Sequence, residues 1–200
     1  MTYPNLIRLA SRSRLVLGSR SPRRVELLRA VGINFVQQIP DIEENPRPGE
    51  PPYDYAVRLA EEKALEIAAG CAADDVVLGC DTIVVLGDHI LEKPADPNDA
   101  QRLLSALSGQ QHVVCSALAL AGQTGLLKSG YELTTVYFHR VTSQQIHDYI
   151  RSGEPMDKAG AYGIQGMGSF LVDRIEGNLD TVVGLPRSLL DRLAGEVLHC

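Results

Sequence analysis

Leu15-Val16-Leu17-Gly18-Ser19-Arg20-Ser21-Pro22-Arg23-Arg24 reads as a short apolar strand, a glycine–serine turn and the start of a helix. Ser21 can N-cap that helix, and Pro22 fits its first turn, where a missing N–H costs nothing. Arg23 and Arg24 then fall in the same first turn, where cations oppose the helix dipole. Two of them there cost stability unless an anion sits nearby. Unpaired N–H groups, serine hydroxyls and two guanidinium forks together suit a polyphosphate. The competing reading is a capped surface helix with solvated arginines.

Outward from this stretch, strand and helix patterns alternate, which predicts an α/β fold. Leu15–Gly18 is a buried strand. Residues 22–31 form a helix with Val25, Leu28 and Val31 on one face and Gly32 as its stop. Residues 40–52 are acidic and proline-rich and predict a loop. Residues 53–69 predict a helix with an apolar stripe of Val57, Ala60, Ala64, Ile67 and Ala68; Lys63 lies beside the stripe. A short strand over 76–79 leads directly to Asp81 and Thr82.

Residues 82–86, Gly87-Asp88 and 89–93 carry a hairpin signal with a two-residue turn. Counting from the turn, Leu86 opposes His89, Val84 opposes Leu91 and Thr82 opposes Lys93. Asp81 then lies diagonal to Lys93, either as a surface ion pair or as an acid and a base facing a substrate. Asp96-Pro97 opens a helix that Gly109 closes. Residues 113–121 and 132–139 predict strands joined by a turn-like 122–130. Residues 142–152 predict a helix with a Thr142-x-x-Gln145 capping box. A loop with five glycines follows over 153–168, of a length that is usually functional or disordered. A strand over 170–175 and an amphipathic helix over 188–198 close the chain. Residues 1–14 read as a short lead-in, and 15–200 as a single domain.

Composition narrows the class. Hydrophobic residues make up 44% and charged residues 22% of the 200, as in ordinary globular proteins. The net charge of −6, from 19 basic and 25 acidic residues, argues against a general nucleic-acid surface but not against a local basic pocket. Cys71, Cys80, Cys115 and Cys200 form no C-x-x-C pair, so neither a zinc site nor a disulfide framework is indicated, and a reducing cytosol fits. No apolar run approaches the roughly 18 residues needed to span a bilayer.

Five features could converge on chemistry: the Ser19/Ser21/Arg23/Arg24 turn, Glu43 with Glu44, Lys63, the Asp81/Lys93 hairpin mouth, and Gln165. The cationic and donor-rich groups can neutralise a triphosphate. Carboxylates beside phosphates commonly hold Mg²⁺, and one can also deprotonate an attacking water. The five histidines show no ligand spacing and are read as structural. The glycines of 160–168 are not followed by Lys-Ser/Thr, and no G-x-G-x-x-G follows the first strand, so neither a P-loop nor a Rossmann site is indicated. These residues reach an α/β protein with an anion pocket without choosing its substrate.

Ser19-Arg20-Ser21-Pro22-Arg23-Arg24, Ile42-Glu43-Glu44, Arg58-Leu59-Ala60-Glu61-Glu62-Lys63-Ala64, Gly79-Cys80-Asp81-Thr82, Glu92-Lys93-Pro94, Ser108-Gly109-x-x-His112, Asp157 through Gly166, and Val183-Gly184-Leu185-Pro186 together resemble the Maf family of nucleoside triphosphate pyrophosphatases over about 15–198. The resemblance implies a mixed central sheet flanked by helices, with two lobes around a cleft, similar to inosine triphosphate pyrophosphatases. It implies hydrolysis of a nucleoside triphosphate to the monophosphate and diphosphate with Mg²⁺ or Mn²⁺. It gives Asp81 the role of proton acceptor, Glu44 an assisting role through metal that Asp81 shares, and Ser19, Arg23, Lys63 and Lys93 the phosphates. Arg24, Thr82 and Gln165 match positions linked to substrate choice.

The Ala161-Tyr162-Gly163-Ile164-Gln165-Gly166 segment resembles the subgroup that cleaves dTTP and UTP. A 7-methyl-GTP or CTP preference, or a non-catalytic role in septum formation, are the alternatives. A homodimer in the cytoplasm, without nucleic-acid or membrane partners, is expected. Gly18 and Cys80 stand where alanine is usual in the family, and Ser116 where threonine is. Cys80 beside Asp81 is either a small buried residue or an oxidation-sensitive one.

Overall fold

The computed structural model describes residues 2–199, so Cys200 and Met1 lie outside the described residues. The elements run α1 (Pro4–Arg12), β1 (Arg14–Gly18), α2 (Pro22–Arg29), β2 (Phe35–Gln38), α3 (Pro52–Ala68), β3 (Asp75–Leu86), β4 (His89–Leu91), α4 (Pro97–Leu107), β5 (Gln111–Gly122), β6 (Gly125–Phe138) and α5 (Ser143–Arg151). Three 3-10 turns follow over Glu154–Asp157, Ala159–Ala161 and Gly166–Leu171. β7 (Val172–Glu176), α6 (Leu179–Val183) and α7 (Arg187–Leu198) complete the order. Among the described residues the sheet has seven strands in the order β2-β1-β3-β5-β6-β7, with β4 on β3. β1 pairs parallel with β2 and β3, whereas β3–β4 and β6–β7 are antiparallel, so the sheet is mixed as expected. No helix among the described residues is long and apolar enough to cross a membrane.

Within the described residues the fold divides into two compact units. The first holds the chain up to Asp81, Ser116–Glu132 and the chain from Gly184 onward; the second holds Thr82–Cys115 and Leu133–Val183. The core of the first unit gathers Leu6 and Leu9 of α1, Leu15 and Leu17 of β1, Leu28 of α2, Leu78 of β3, and Leu190 and Leu193 of α7. The second unit is built on Leu103, Leu104 and Leu107 of α4, with Phe138, Ile146, Tyr149, Tyr162 and Leu171.

The segment expected as a lead-in carries α1, which packs on α7. Asp191 of α7 accepts the Leu6 N–H at 2.8 Å, supplying an acceptor for an N-terminal N–H of α1. The break expected between two strands around Gly79 does not exist: β3 runs through it. A Cβ at Gly79 would sit 2.1 Å from the Ala60 carbonyl oxygen, so the glycine marks close packing of α3 on β3, not a strand end. The predicted hairpin register holds for Leu86 against His89 and Val84 against Leu91. It does not extend to Thr82 and Lys93, because β4 ends at Leu91. Beyond it the Glu92 carbonyl accepts the Gly160 N–H at 3.1 Å, and Pro94 has no N–H to offer a ladder.

β6 begins at Gly125, so the 122–130 connection is mostly strand. The 153–168 stretch carries three 3-10 turns, over Glu154–Asp157, Ala159–Ala161 and the start of Gly166–Leu171, with 162–165 irregular between the second and the third. The Asp96 cap and the Thr142 capping box both form.

Candidate active site

Parallel pairing of Gly18 with Gly79 brings the carboxyl end of β1 beside Cys80 and Asp81. Ser19 is held there from β2: its N–H donates to the Gln38 carbonyl at 3.1 Å, and its carbonyl accepts from the Gln37 side chain at 2.8 Å. The Ser19 hydroxyl oxygen, almost fully buried, accepts the Ser21 N–H at 3.2 Å. Ser21 occupies the N-cap position of α2, but its own side chain makes no cap bond.

Arg24, in the first turn of α2, donates to Ser19 Oγ at 3.1 Å, to the Cys80 carbonyl at 3.0 Å and to the Gly184 carbonyl at 2.9 Å. The unfavourable position of this cation is therefore compensated by backbone and hydroxyl oxygens, where the sequence suggested an anion. Its fork spans the turn after β1, β3 and the approach to α7. Arg23 is half-buried in the same turn.

Lys63 projects from the middle of α3. Its side chain is 9% exposed, and its Nζ lies 2.7 Å from Asp81 Oδ1 and 2.7 Å from Glu44 Oε1. Asp81 is equally buried, whereas Glu44 is exposed. Lys63, expected to reach from the helix flank, thus joins two predicted carboxylates from segments 18 or more residues away. Two carboxylates on one ammonium leave the trio one net negative charge. That donor set suits a hard divalent cation, which takes one or two carboxylates and completes its shell with water and phosphate oxygens. Among the described residues no three His, Cys, Asp or Glu side chains converge as a preformed cage.

The loop carrying Glu44 is tied to α3 by Tyr55 and Arg58, to which the sequence assigned no role of their own. Tyr55 Oη donates to the Glu44 carbonyl at 3.0 Å, and Arg58 donates to the Asn45 carbonyl at 3.0 Å. Arg58 also grips Glu50 in a two-pronged pair at 2.6 and 2.7 Å and reaches Glu62, one turn along α3. The Arg58 guanidinium holds the Glu50 carboxyl down at about 2, and Glu50 raises Arg58 in return. The Arg58-x-x-x-Glu62 spacing was the available sequence signal. Glu43 pairs with its neighbour Asn45 instead, at 3.5 Å.

The Cys80 thiol is fully buried, and burial pushes it up to about 11, which favours the packing reading over oxidation. A Cβ at Gly18 would lie 3.0 Å from the tip of Ile67 and 3.3 Å from the Leu78 carbonyl oxygen. Ser116 is fully buried.

The remaining predicted site residues lie in the second unit. Thr82 follows Asp81 on β3, Lys93 is exposed beyond β4, and Gln165 is exposed between two 3-10 turns. His112 is buried in an edge-to-face cluster with Phe138 and Tyr162, and its Nε2 lies 2.7 Å from Tyr162 Oη. Its Nδ1 is buried without a partner, and burial pushes the imidazole down to about 4. A neutral histidine locked between aromatic rings fits the structural role read for it.

The family profile described as Maf-like protein matches residues 14–197. A dTTP/UTP pyrophosphatase of Vibrio cholerae serotype O1 is 48% identical over 181 residues, covering 90% of this chain and 96% of that protein. A dTTP/UTP pyrophosphatase of a Shewanella species is 50% identical over 179 residues, covering 86% and 92%. The solved structure of a HAM1 protein from Coxiella burnetii is similar at a TM-score of 0.48 and 18% identity, covering 94% of this chain and all of that one, a likeness on which nothing functional rests. A profile match over nearly the whole chain and relatives at half identity leave no ambiguity of membership: the chain belongs to the Maf family.

Proposed function

We propose that this protein hydrolyses dTTP and UTP to the nucleoside monophosphate and diphosphate. The observation that carries the reading is the Lys63 ammonium set 2.7 Å from both Glu44 and Asp81 beside the Ser19 turn, in a chain about half identical to proteins named for that activity. A buried carboxylate held by a buried lysine is fixed in place, as a proton acceptor for water needs. Asp81 takes the proton of the attacking water. The water oxygen bonds to the α-phosphorus, and the bond to the β-phosphate oxygen breaks. Ser19, Arg23, Lys63 and Lys93 bind the phosphates.

Thr82 and Gln165 select the base, and Arg24 acts by fixing Ser19 and the Cys80 carbonyl. Glu44 and Asp81 would hold Mg²⁺ or Mn²⁺, which when bound screens the phosphates and acidifies water. Cys71 and Cys80 are free thiols, which supports a cytoplasmic location; a homodimer rests on the resemblance alone.

The test is a panel of dTTP, UTP, CTP and 7-methyl-GTP with each metal, scoring diphosphate release. Fastest turnover of dTTP and UTP is expected. Preference for CTP or 7-methyl-GTP would overturn the substrate. Binding without turnover on the whole panel would favour a regulator.

A further inference from the structure

The stretch Gly163–Gly168 is closed on itself by two side chains given no role so far. Glu154 Oε2 accepts the Met167 N–H at 2.9 Å, and Glu154 Oε1 accepts the Gly168 N–H at 3.1 Å. Tyr149 Oη donates to Glu154 Oε1 at 3.0 Å and accepts the Gly163 N–H at 3.1 Å. The two ends of the stretch touch: a Cβ at Gly168 would lie 2.4 Å from the Gly163 carbonyl oxygen and 2.5 Å from Tyr149 Oη. Gly166 makes the turn between them at φ +76°, a conformation that favours glycine, and a Cβ there would lie 2.9 Å from Glu154 Oε2. Gln165 stands in the middle, flanked on both sides by clamped N–H groups.

Packing does not hold this tip. Gln165 is exposed and Met167 is 60% exposed, so burial contributes little to fixing either. Three glycines in six residues would leave the tip mobile if nothing tied it. The anchors themselves are rigid. Tyr149 belongs to the second unit's core, and its ring meets Phe170 edge-on at 5.9 Å. Glu154 opens a 3-10 turn whose carbonyl is also taken by Lys158 Nζ. Burial alone would raise the Glu154 carboxyl; the Met167 and Gly168 N–H groups, with Tyr149, bring it net below its ordinary value, so it stays an acceptor. An amide side chain tells one base edge from another only if its oxygen and nitrogen are held in place.

We propose that Tyr149 and Glu154 are positioning residues that fix Gln165 for nucleotide selection. The proposal rests on the reading of Gln165 as a base contact. The clamp touches no substrate; it sets discrimination by removing the alternative placements of one amide.

The experiment measures kcat and KM for dTTP, CTP and a purine triphosphate on the full chain, with Glu154→Gln, Tyr149→Phe, Gln165→Ala and the Glu154→Gln/Gln165→Ala double variant. Glu154→Gln keeps the shape and loses the charged acceptor. The expected result is a dTTP-over-CTP preference reduced about 10- to 100-fold, carried by KM, the scale on which misplacing a substrate-orienting group acts. The double variant should be no less selective than Gln165→Ala alone, because the clamp has nothing left to hold. Parental preference in Glu154→Gln, with preference lost in Gln165→Ala, overturns the clamp and leaves the base contact standing. Parental preference in Gln165→Ala overturns the base contact and the clamp with it. If Tyr149→Phe does not fold, the Glu154→Gln arm decides.

Discussion

Arg24 gathers oxygens and Glu154 gathers hydrogens, yet the segments they gather lie at very different distances along the chain. The Arg24 partners are 5, 56 and 160 residues away, in the turn after β1, on β3 and on the approach to α7. The Glu154 partners are 5, 13 and 14 residues away, on α5 and in the turns that follow it. A long-range knot forms only with the whole first unit and shares its stability. A local knot can open while the rest stays folded. The same chemistry should therefore act on global stability in one place and on local order in the other.

The largest effect is expected at Arg24. Arg24→Met leaves carbonyls of β3 and the α7 approach without their donor and should lower the unfolding free energy by about 2–4 kcal/mol, read from urea titration. A loss below about 0.5 kcal/mol would mean that the knot is not integral to the fold. Glu154→Gln should cost about 1 kcal/mol or less globally. It should nevertheless speed amide exchange at Met167 and Gly168 while the amides of β1 keep their protection. Equal acceleration in β1 would erase the distinction.

The smallest and most graded contrast is in pH. His112 sits near 4 in the folded second unit, below its ordinary 6.5, so its contribution is complete above about 6.5 and is lost as pH falls toward 4. Glu50 sits near 2 in the first unit, below its ordinary 4.5, so its contribution is complete above about 4.5 and is lost between there and 2. Acid destabilisation should thus begin with a limb that Glu50→Gln leaves intact and continue into one that it removes. A Glu50→Gln variant with the parental profile below pH 4.5 would refute the pairing with Arg58.

What the sequence made legible follows the range of the interactions. The period of α3, the capping box of α5, the Asp96 cap and the Gly87-Asp88 hairpin are local signals, and each forms where expected. Lys63 was placed beside an apolar stripe, and that geometry delivers it to Asp81. The continuity of β3 was hidden because a glycine required by Ala60 looks the same as one that ends a strand. α1 was hidden because its acceptor, Asp191, sits at the other end of the chain. Arg24 pointed to an anion because its carbonyl partners belong to distant segments. The turns of 153–168 looked like open loop because a glycine count does not show which carboxylate ties the N–H groups.

The central claim is that Asp81, fixed by Lys63, is the proton acceptor. Diphosphate release from dTTP by Asp81→Asn against the parent, with Mg²⁺ and Mn²⁺, tests it most directly. Asparagine can still accept from Lys63 but does not take a proton from water. The expected rate is lower by about 10²- to 10⁴-fold in a protein that still unfolds cooperatively. Turnover of dTTP by that variant at the parental rate would contradict it.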